Sequence, residues 1–328
     1  MRQAVLAVFL ALATTAGAQE PPAQTFNETV SVGYVMIPFT ALARNGAPIT
    51  NLKERDVALY VDGKRAGTDM FEESMNAPVS FTILLDASGS MALAGKMDAA
   101  RAAVSTLLAH KKKGDDFALY VFAESEAHEV VPFTEDGDLI RRALFDVKPY
   151  GKTAFFDALA TMPDRNELGK NPTRAMILLS DGIDNASRTT REGLARIFEG
   201  SSIPIYPLGL RDPAELKPHQ PVPYEELSDL DLLEAVAILT GGKLNLGRHP
   251  EQLERAVESM QKDLRAQYLI GFSPTGKGEV KYRRIAVQLA GRARVVRVRA
   301  GYRGTEPPAL TSSASRGKTR TEKKGSSQ

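Results

Sequence analysis

Two kinds of hydrophobic pattern divide the chain into a central part and two flanks. Between residues 78 and 265, short runs of apolar or β-branched residues such as Phe81–Leu85 and Ala175–Leu179 alternate with segments whose apolar residues recur at helical spacing. Continuous apolar runs are typical of parallel strands buried on both faces. Their alternation with helices predicts an α/β fold, a doubly wound and mostly parallel sheet with right-handed crossovers.

The flanks predict strands without helices. Residues 30–77 contain three or four candidate strands, with turns at Asn45-Gly46 and Asp62-Gly63, and residues 266–303 contain three more. A segment of about 45 residues with so few strands is too small for a core of its own. We therefore expect one smaller β module made from both flanks, with the α/β domain of residues 78–265 inserted between them.

The two ends of the chain fit neither pattern. Arg2, the apolar run Ala4–Ala13 and the Ala16-Gly-Ala18 ending are typical of a cleavable signal peptide over residues 1–18. A membrane anchor is the alternative, but roughly 15 apolar residues are fewer than the ~20 that span a bilayer. We therefore expect a secreted or periplasmic protein without a stable membrane span. Residues 19–29 predict a flexible leader, and the polar residues 304–328 predict a disordered tail.

Composition narrows the possible functions by exclusion. The chain has 328 residues, of which 43% are hydrophobic and 25% charged, and its formal net charge is +2. These values are typical of a globular protein with a core, and so small a charge gives no reason to expect nucleic acid as a partner. Cysteine is absent, which excludes disulfides, thiolate catalysis and thiolate zinc sites.

Side chains that carry oxygen atoms occur at three places: after each of the two apolar runs, and in one loop that begins with a glycine. Asp86, Ser88 and Ser90 come after the first run, Asp181 comes after the second, and Thr153 lies in the loop that enters a helix. Because the carboxyl ends of parallel strands lie at one edge of a sheet, we expect these side chains to converge. Two carboxylates and three hydroxyls suit a hard divalent cation that keeps waters and one exchangeable position, most readily Mg²⁺, with Mn²⁺ or Ca²⁺ as alternatives.

These segments together resemble the metal-ion-dependent adhesion site of von Willebrand factor type A domains. The matching parts are Asp86-x-Ser88-x-Ser90, Thr153 and Ser180-Asp181-Gly182, together with the segments that begin at Gly114 and Gly151. The resemblance covers about residues 78–265, and the flanks resemble a bacterial secreted subgroup that carries this domain. It implies a Rossmann-like fold, direct metal binding by the two serines and the threonine, and binding by the two aspartates directly or through water.

The resemblance also implies a function. We expect a non-enzymatic, extracytoplasmic module that binds an Asp or Glu side chain of a partner protein at the free position of the metal. A structural or envelope scaffold module with a vestigial metal site is the first alternative. A hydrolase that uses Ser88 or Asp86 is the second, although Ser88 lacks the Gly-x-Ser-x-Gly elbow and the chain has no phosphate loop. The oligomeric state does not follow from the sequence.

Other polar residues near these segments have ordinary explanations. Asp157 either supports the metal ligands from behind or stabilises the first turn of its helix. Asp184 and Asn185 are predicted to be exposed turn residues, with a role in partner specificity as the alternative. Arg297 and Arg299 alternate with valines along the last predicted strand, so we expect them to lie on a solvated strand face.

Overall fold

The structure is a computed structural model, and it describes residues 34–43, 45–199, 201–215, 231–291 and 294–308. The predicted signal peptide (1–18), the predicted leader (19–29) and the part of the predicted tail beyond residue 308 lie outside the described residues. Within the described ranges, no helix is long and apolar enough to cross a membrane.

The described parts of the chain form strands, α-helices and three short 3-10 helices. The strands are β1 (Val35–Ala43), β2 (Val57–Val61), β3 (Lys64–Arg65), β4 (Met70–Met75), β5 (Val79–Asp86), β6 (Asp116–Phe122), β7 (His128–Thr134), β8 (Thr173–Ser180), β9 (Ile205–Gly209), β10 (Asn245–Leu246), β11 (Ala266–Phe272), β12 (Lys281–Leu289), β13 (Arg294–Val298) and β14 (Gly301–Gly304). The α-helices are α1 (Lys96–Ala109), α2 (Gly137–Asp146), α3 (Phe155–Ala160), α4 (Met162–Asn166), α5 (Arg191–Phe198), α6 (Leu232–Thr240) and α7 (Pro250–Leu264). The 3-10 helices are Glu54–Asp56, Gly89–Ala92 and Pro213–Glu215.

A six-stranded sheet in the order β10-β9-β8-β5-β6-β7 forms the centre of the α/β domain. Five of its strands run parallel, and β7 pairs antiparallel with β6 at one edge. The predicted α/β fold, with its mostly parallel sheet, is confirmed. The sequence did not predict β7, because most of its side chains are exposed or half-buried and it has no continuous apolar run.

The central strand β5 is buried along its whole length. Its side chains alternate between the two faces of the sheet. Phe81, Ile83 and Leu85 pack in a cluster with residues of α1, α2 and α7, whereas Leu84 packs with residues of α3, α5 and α6. Helices therefore cover both faces of the sheet, which explains the continuous apolar run and fixes the position where β5 ends.

Strands from the two flanks pair with one another in two antiparallel sheets. Their strand orders are β13-β1-β11-β4 and β14-β12-β2-β3. Both sheets contribute to one apolar cluster, in which the rings of Phe39 and Tyr268 stack at a centroid distance of 5.4 Å. The smaller β module predicted from both flanks is therefore present.

The last predicted strand is in fact two strands, β13 and β14, which belong to different sheets. The prediction of a solvated arginine face was also wrong. Arg297 forms an ion pair with Asp263, with a distance of 2.6 Å from Nη1 to Oδ2. Arg299 is only 6% exposed and donates to the carbonyls of Ser201 and Met36. Burial lowers the pKa of Arg299 to about 10. The alternation of arginine and valine along the strand cannot predict these contacts, because the residues that the arginines contact lie far away in the sequence.

Two further predictions about strand ends need correction. The disordered tail was predicted to begin at residue 304, but Gly304 ends β14, and the carbonyls of Glu306 and Pro308 accept backbone hydrogen bonds from Thr275 and Gly67. Residues 304–308 are therefore held by hydrogen bonds to the β module and do not belong to the predicted tail. The prolines at positions 204 and 207 predict an edge position for the strand over residues 203–210, yet β10 pairs with β9 over two residues and forms the edge itself.

Candidate metal centre

Three loops meet at the carboxyl edge of the central sheet. We call them the β5 loop (86–95), the threonine loop (147–154) and the β8 loop (181–190). Backbone hydrogen bonds join the first two, because the Gly89 amide donates to Gly151 O at 3.0 Å and the Tyr150 amide donates to Ala87 O at 2.8 Å. A Cβ at Gly89 would lie 3.0 Å from Gly151 O, so the glycine permits this close approach.

Hydrogen bonds also join the threonine loop to the β8 loop. The amides of Asn185 and Ala186 donate to Thr153 O at 3.0 Å, and the Thr153 amide donates to Asn185 Oδ1 at 2.8 Å. Asp184 Oδ1 accepts the Phe155 amide at 2.9 Å. Although Asn185 is exposed, the prediction that Asp184 and Asn185 are simple turn residues missed their role. They fix Thr153 relative to the strand that carries Asp181.

Asp157 also holds the β8 loop in place. Its carboxylate accepts the amides of Arg188 and Thr189 at 2.9 and 2.8 Å. Burial raises the pKa of Asp157, but the hydrogen bonds from Thr189 and Arg188 outweigh it, so the pKa lies below its usual value. Its hydrogen bonds therefore reach across to another loop, a role that neither sequence interpretation described.

Asp86 is fully buried at the end of β5. Its Oδ1 accepts the Ser88 amide at 2.8 Å and its Oδ2 accepts the Ser180 hydroxyl at 2.7 Å. Burial raises the pKa of Asp86, the hydrogen bonds from Ser88 and Ser180 oppose this rise, and the negative charge of Asp181 adds to it. A cation bound beside this carboxylate would relieve the cost of keeping it ionised.

The other predicted ligands lie around the same meeting point of the three loops. Ser88, Thr153 and Asp181 are 1%, 2% and 3% exposed, respectively, and Ser90 is half-buried. The hydroxyls of Ser88 and Ser90 are 3.2 Å apart. The structure thus brings the five residues to one edge of the sheet, on three loops of which the threonine loop is hydrogen-bonded to both others. Their role as metal ligands remains a prediction.

Lys96 also contacts the site, although the sequence did not predict it. This residue begins α1, and its Nζ lies 2.7 Å from Asp181 Oδ2. A lysine in the first turn of a helix is unfavourable because the helix dipole places partial positive charge there. That misplaced cation, six residues after Ser90 in the sequence, is the signal that could have identified it.

The donor atoms fit a hard divalent cation. Within the described parts of the chain, no group of three or more His, Asp or Glu side chains is placed to hold a metal. The site offers instead two carboxylates and three hydroxyls, which suit an ion that retains several waters. The buried Asp86, with its raised pKa, is the observation that most favours a bound cation.

Each of the three loops also exposes one large apolar side chain. Leu93 of the β5 loop is 63% exposed, Tyr150 of the threonine loop 56%, and Ile183 of the β8 loop 48%. We call these three residues the apolar rim. A cavity of about 220 Å³ lies beside Asp181. It is lined by Ala94, Lys96, Asp181, Ile183, Leu210, Arg211 and Arg248.

Residues 81–183 match the sequence model of the von Willebrand factor type A domain, and all five predicted ligands lie within this match. This part of the chain is a von Willebrand factor type A domain. The match runs from within β5 to the first three residues of the β8 loop, so it includes at least part of each segment that meets at the candidate site. No curated protein matches the chain.

Several solved structures resemble this von Willebrand factor type A domain and its surroundings. A von Willebrand factor type A protein from Catenulispora acidiphila is 16% identical, with a TM-score of 0.47, over 84% of this chain and 66% of that chain. An aerotolerance-related membrane protein from Bacteroides fragilis is 22% identical, with a TM-score of 0.42, over 57% of this chain and 98% of that chain. BatB from Bacteroides thetaiotaomicron is 20% identical, with a TM-score of 0.42, over 56% and 98%. Sequence identities and TM-scores this low do not support an inference about function.

Proposed function

We propose that this protein is a non-enzymatic binding module that holds a divalent cation where the three loops meet and uses it to bind an acidic side chain of a partner protein. The observation that carries the proposal is the buried Asp86. Its carboxylate lies close enough to Asp181 for their charges to raise its pKa further. A bound cation would stabilise the ionised forms of both carboxylates.

The five predicted ligands would contribute two kinds of oxygen atom to the ion. Ser88, Ser90 and Thr153 would supply neutral hydroxyl oxygens, and Asp86 and Asp181 would supply negative charge. An ion with so few charged protein ligands keeps strong affinity for one more carboxylate. Mg²⁺ is the first choice, with Mn²⁺ or Ca²⁺ as alternatives. The N-terminal sequence supports a secreted or periplasmic location for this activity.

The contacts of the serines favour binding over hydrolysis. A nucleophilic serine needs a base within hydrogen-bond reach. Ser88 Oγ has Ser90 Oγ as its neighbour, whereas the ring nitrogens of His110 and His128 lie beside Thr106 O and Ser125 Oγ. In the described parts of the chain, no histidine contacts Ser88. The scaffold alternative, in which the site no longer binds an ion, can be distinguished from this proposal by measuring thermal unfolding with and without metal.

Thermal unfolding with and without metal tests the proposal. Millimolar Mg²⁺ or Mn²⁺ should raise the melting temperature relative to EDTA, because an ion that binds only the folded state adds about 2.7 kcal/mol of stability at 100 times its Kd. A melting temperature that is the same in Mg²⁺, Mn²⁺ and EDTA would contradict metal binding and would favour the scaffold alternative.

The apolar rim predicts what lies next to the partner's acidic residue. Selection from a random peptide library in Mn²⁺ should enrich Asp or Glu flanked by large apolar side chains, and EDTA should abolish the enrichment. A variant with Leu93→Ser and Ile183→Ser should still select acidic residues but should lose the apolar preference, because its rim buries less apolar area.

The control for this selection is Phe145→Ser, which removes an even more exposed apolar side chain, 75% exposed, from α2. It should select the same peptides as the unchanged protein. Acidic peptides without apolar neighbours, selected equally by all three proteins, would show that the rim does not contact the partner.

A further inference from the structure

Lys96 and Asp181 form a mostly buried ion pair at the edge of the candidate metal site. The distance from Nζ to Oδ2 is 2.7 Å, and the side chains are 21% and 3% exposed. A carboxylate as buried as Asp181 depends on a nearby positive charge, because an unpaired buried charge is strongly unfavourable. Lys96 supplies that charge from within the chain.

The backbone holds Lys96 in this position at some conformational cost. Ala94 and Gly95, directly before it, have φ angles of +53° and +71°. Alanine rarely adopts such a conformation. The turn is closed by a hydrogen bond from the Lys96 amide to Leu93 O at 3.1 Å. An unfavourable turn therefore places a cation at a helix end that disfavours cations, and the ion pair with Asp181 compensates for both costs.

We propose that Lys96 is a built-in competitor of the divalent ion for Asp181. While the ammonium group holds Oδ2, Asp181 is a poor direct ligand, and the ion relies on Asp86 and the three hydroxyls. Two carboxylates (−2) and one ammonium (+1) leave the site with a charge of −1. Lys96 thereby weakens metal binding and leaves the ion more strongly attracted to a partner's carboxylate.

This inference rests on the proposed function, because it concerns the same ion. Lys96→Met tests it by removing the competing charge and leaving a side chain of similar length. Mn²⁺ affinity, measured by isothermal titration calorimetry and by electron paramagnetic resonance of free Mn²⁺, should tighten by roughly tenfold or more. In EDTA, the variant should melt at a lower temperature than the unchanged protein, because Asp181 loses its counter-ion. Its melting temperature should then rise more on addition of Mn²⁺.

Lys152→Met is the matched control. Lys152 is an exposed residue directly before Thr153, so its loss changes the net charge equally at the same edge of the sheet. Only a small change in Mn²⁺ affinity is expected, because the charge of Lys152 is exposed to solvent and screened by salt. If Lys96→Met unfolds, Lys96→Gln should show the same tightening to a smaller extent, because its amide can still donate to Asp181.

The outcomes separate this inference from the proposed function. Mn²⁺ affinity that is unchanged or weaker in the Lys96 variants, or tightened equally by Lys152→Met, overturns the role of Lys96 but leaves metal binding intact. If only the Lys96 variants bind Mn²⁺, the proposed function fails and Lys96 is the permanent occupant of the cation position. If neither the unchanged protein nor a folded Lys96 variant binds Mn²⁺, both proposals are wrong.

Discussion

Asp86→Asn will abolish the metal-dependent rise in melting temperature and will stabilise the metal-free protein by on the order of 1 kcal/mol. Asparagine has nearly the shape of aspartate, so its Oδ1 can still accept the Ser88 amide, and the Ser180 hydroxyl can turn to accept from the new amide group. The charge that would attract the ion is lost. The cost of burying that charge in the metal-free protein is lost with it.

The sign of the stability change follows from the raised pKa of Asp86. A carboxyl whose pKa is higher in the folded state than its ordinary value of 3.8 stabilises the fold fully below that value. This contribution is lost as the pH rises through the folded pKa. The gain from asparagine should therefore be larger at pH 7 than at pH 4. Chemical unfolding in EDTA at both pH values measures it.

Asp98→Asn is the control for this experiment. Asp98 carries an 80% exposed side chain in the first turn of α1, and its replacement should leave both the metal response and the pH dependence nearly unchanged. A metal-dependent melting shift that survives in Asp86→Asn would mean that the ion binds elsewhere. A large loss of stability in EDTA would mean that the ionised carboxylate supports the loops.

Arg265→Met will lower the free energy of unfolding by about 3–5 kcal/mol, because it leaves a buried carboxylate without its partner. Arg265 Nη2 lies 2.5 Å from Asp115 Oδ2, and the two side chains are 6% and 0% exposed. Arg265 also donates to Ala77 O at 3.2 Å, and Asp115 accepts the Val79 amide at 2.9 Å. The pair thus ties the end of α7 to the start of β5.

Urea unfolding measures this loss, with Arg141→Met as the control. Arg141 pairs with Asp138 at the surface, where both side chains are well exposed, so its loss should cost less than about 1 kcal/mol. Similar losses in the two variants would show that burial of the Arg265 pair is not decisive. The melting shift caused by Mn²⁺ should persist in Arg265→Met, because the pair lies at the opposite sheet edge from Asp86.

The features that the sequence predicted correctly depend on patterns within one segment or on rules of sheet topology. The runs in β5 and β8 consist of apolar or β-branched residues because both faces of the sheet are covered. Once a parallel sheet is inferred, the ends of these strands must lie at one edge, so Asp86 and Asp181 could be placed together from the sequence. The pairing of the two flanks followed from the small size of each one.

The features that it missed depend on contacts between distant segments. The contacts of Lys96 with Asp181 and of Arg299 with Ser201 cannot be predicted from the spacing of apolar residues within one segment. Each contact forms because whole helices and strands pack against one another. The roles of Asp184 and Asn185 were missed for the same reason. Their polar composition is that of a turn, and only the structure shows that their side chains hold another loop.

The connections of the von Willebrand factor type A domain to the β module lie side by side. β4 and β11 pair in antiparallel register from Met75 opposite Ala266, and the Asn76 amide donates to Arg265 O at 3.1 Å. In topological terms, the whole α/β domain is the loop of a single β-hairpin. If a two-residue turn replaced the α/β domain, β4 and β11 would be joined directly and the β module would be continuous in sequence. The domain is therefore an insertion whose two connections leave together, at the end of the sheet opposite the three loops that carry Asp86, Thr153 and Asp181.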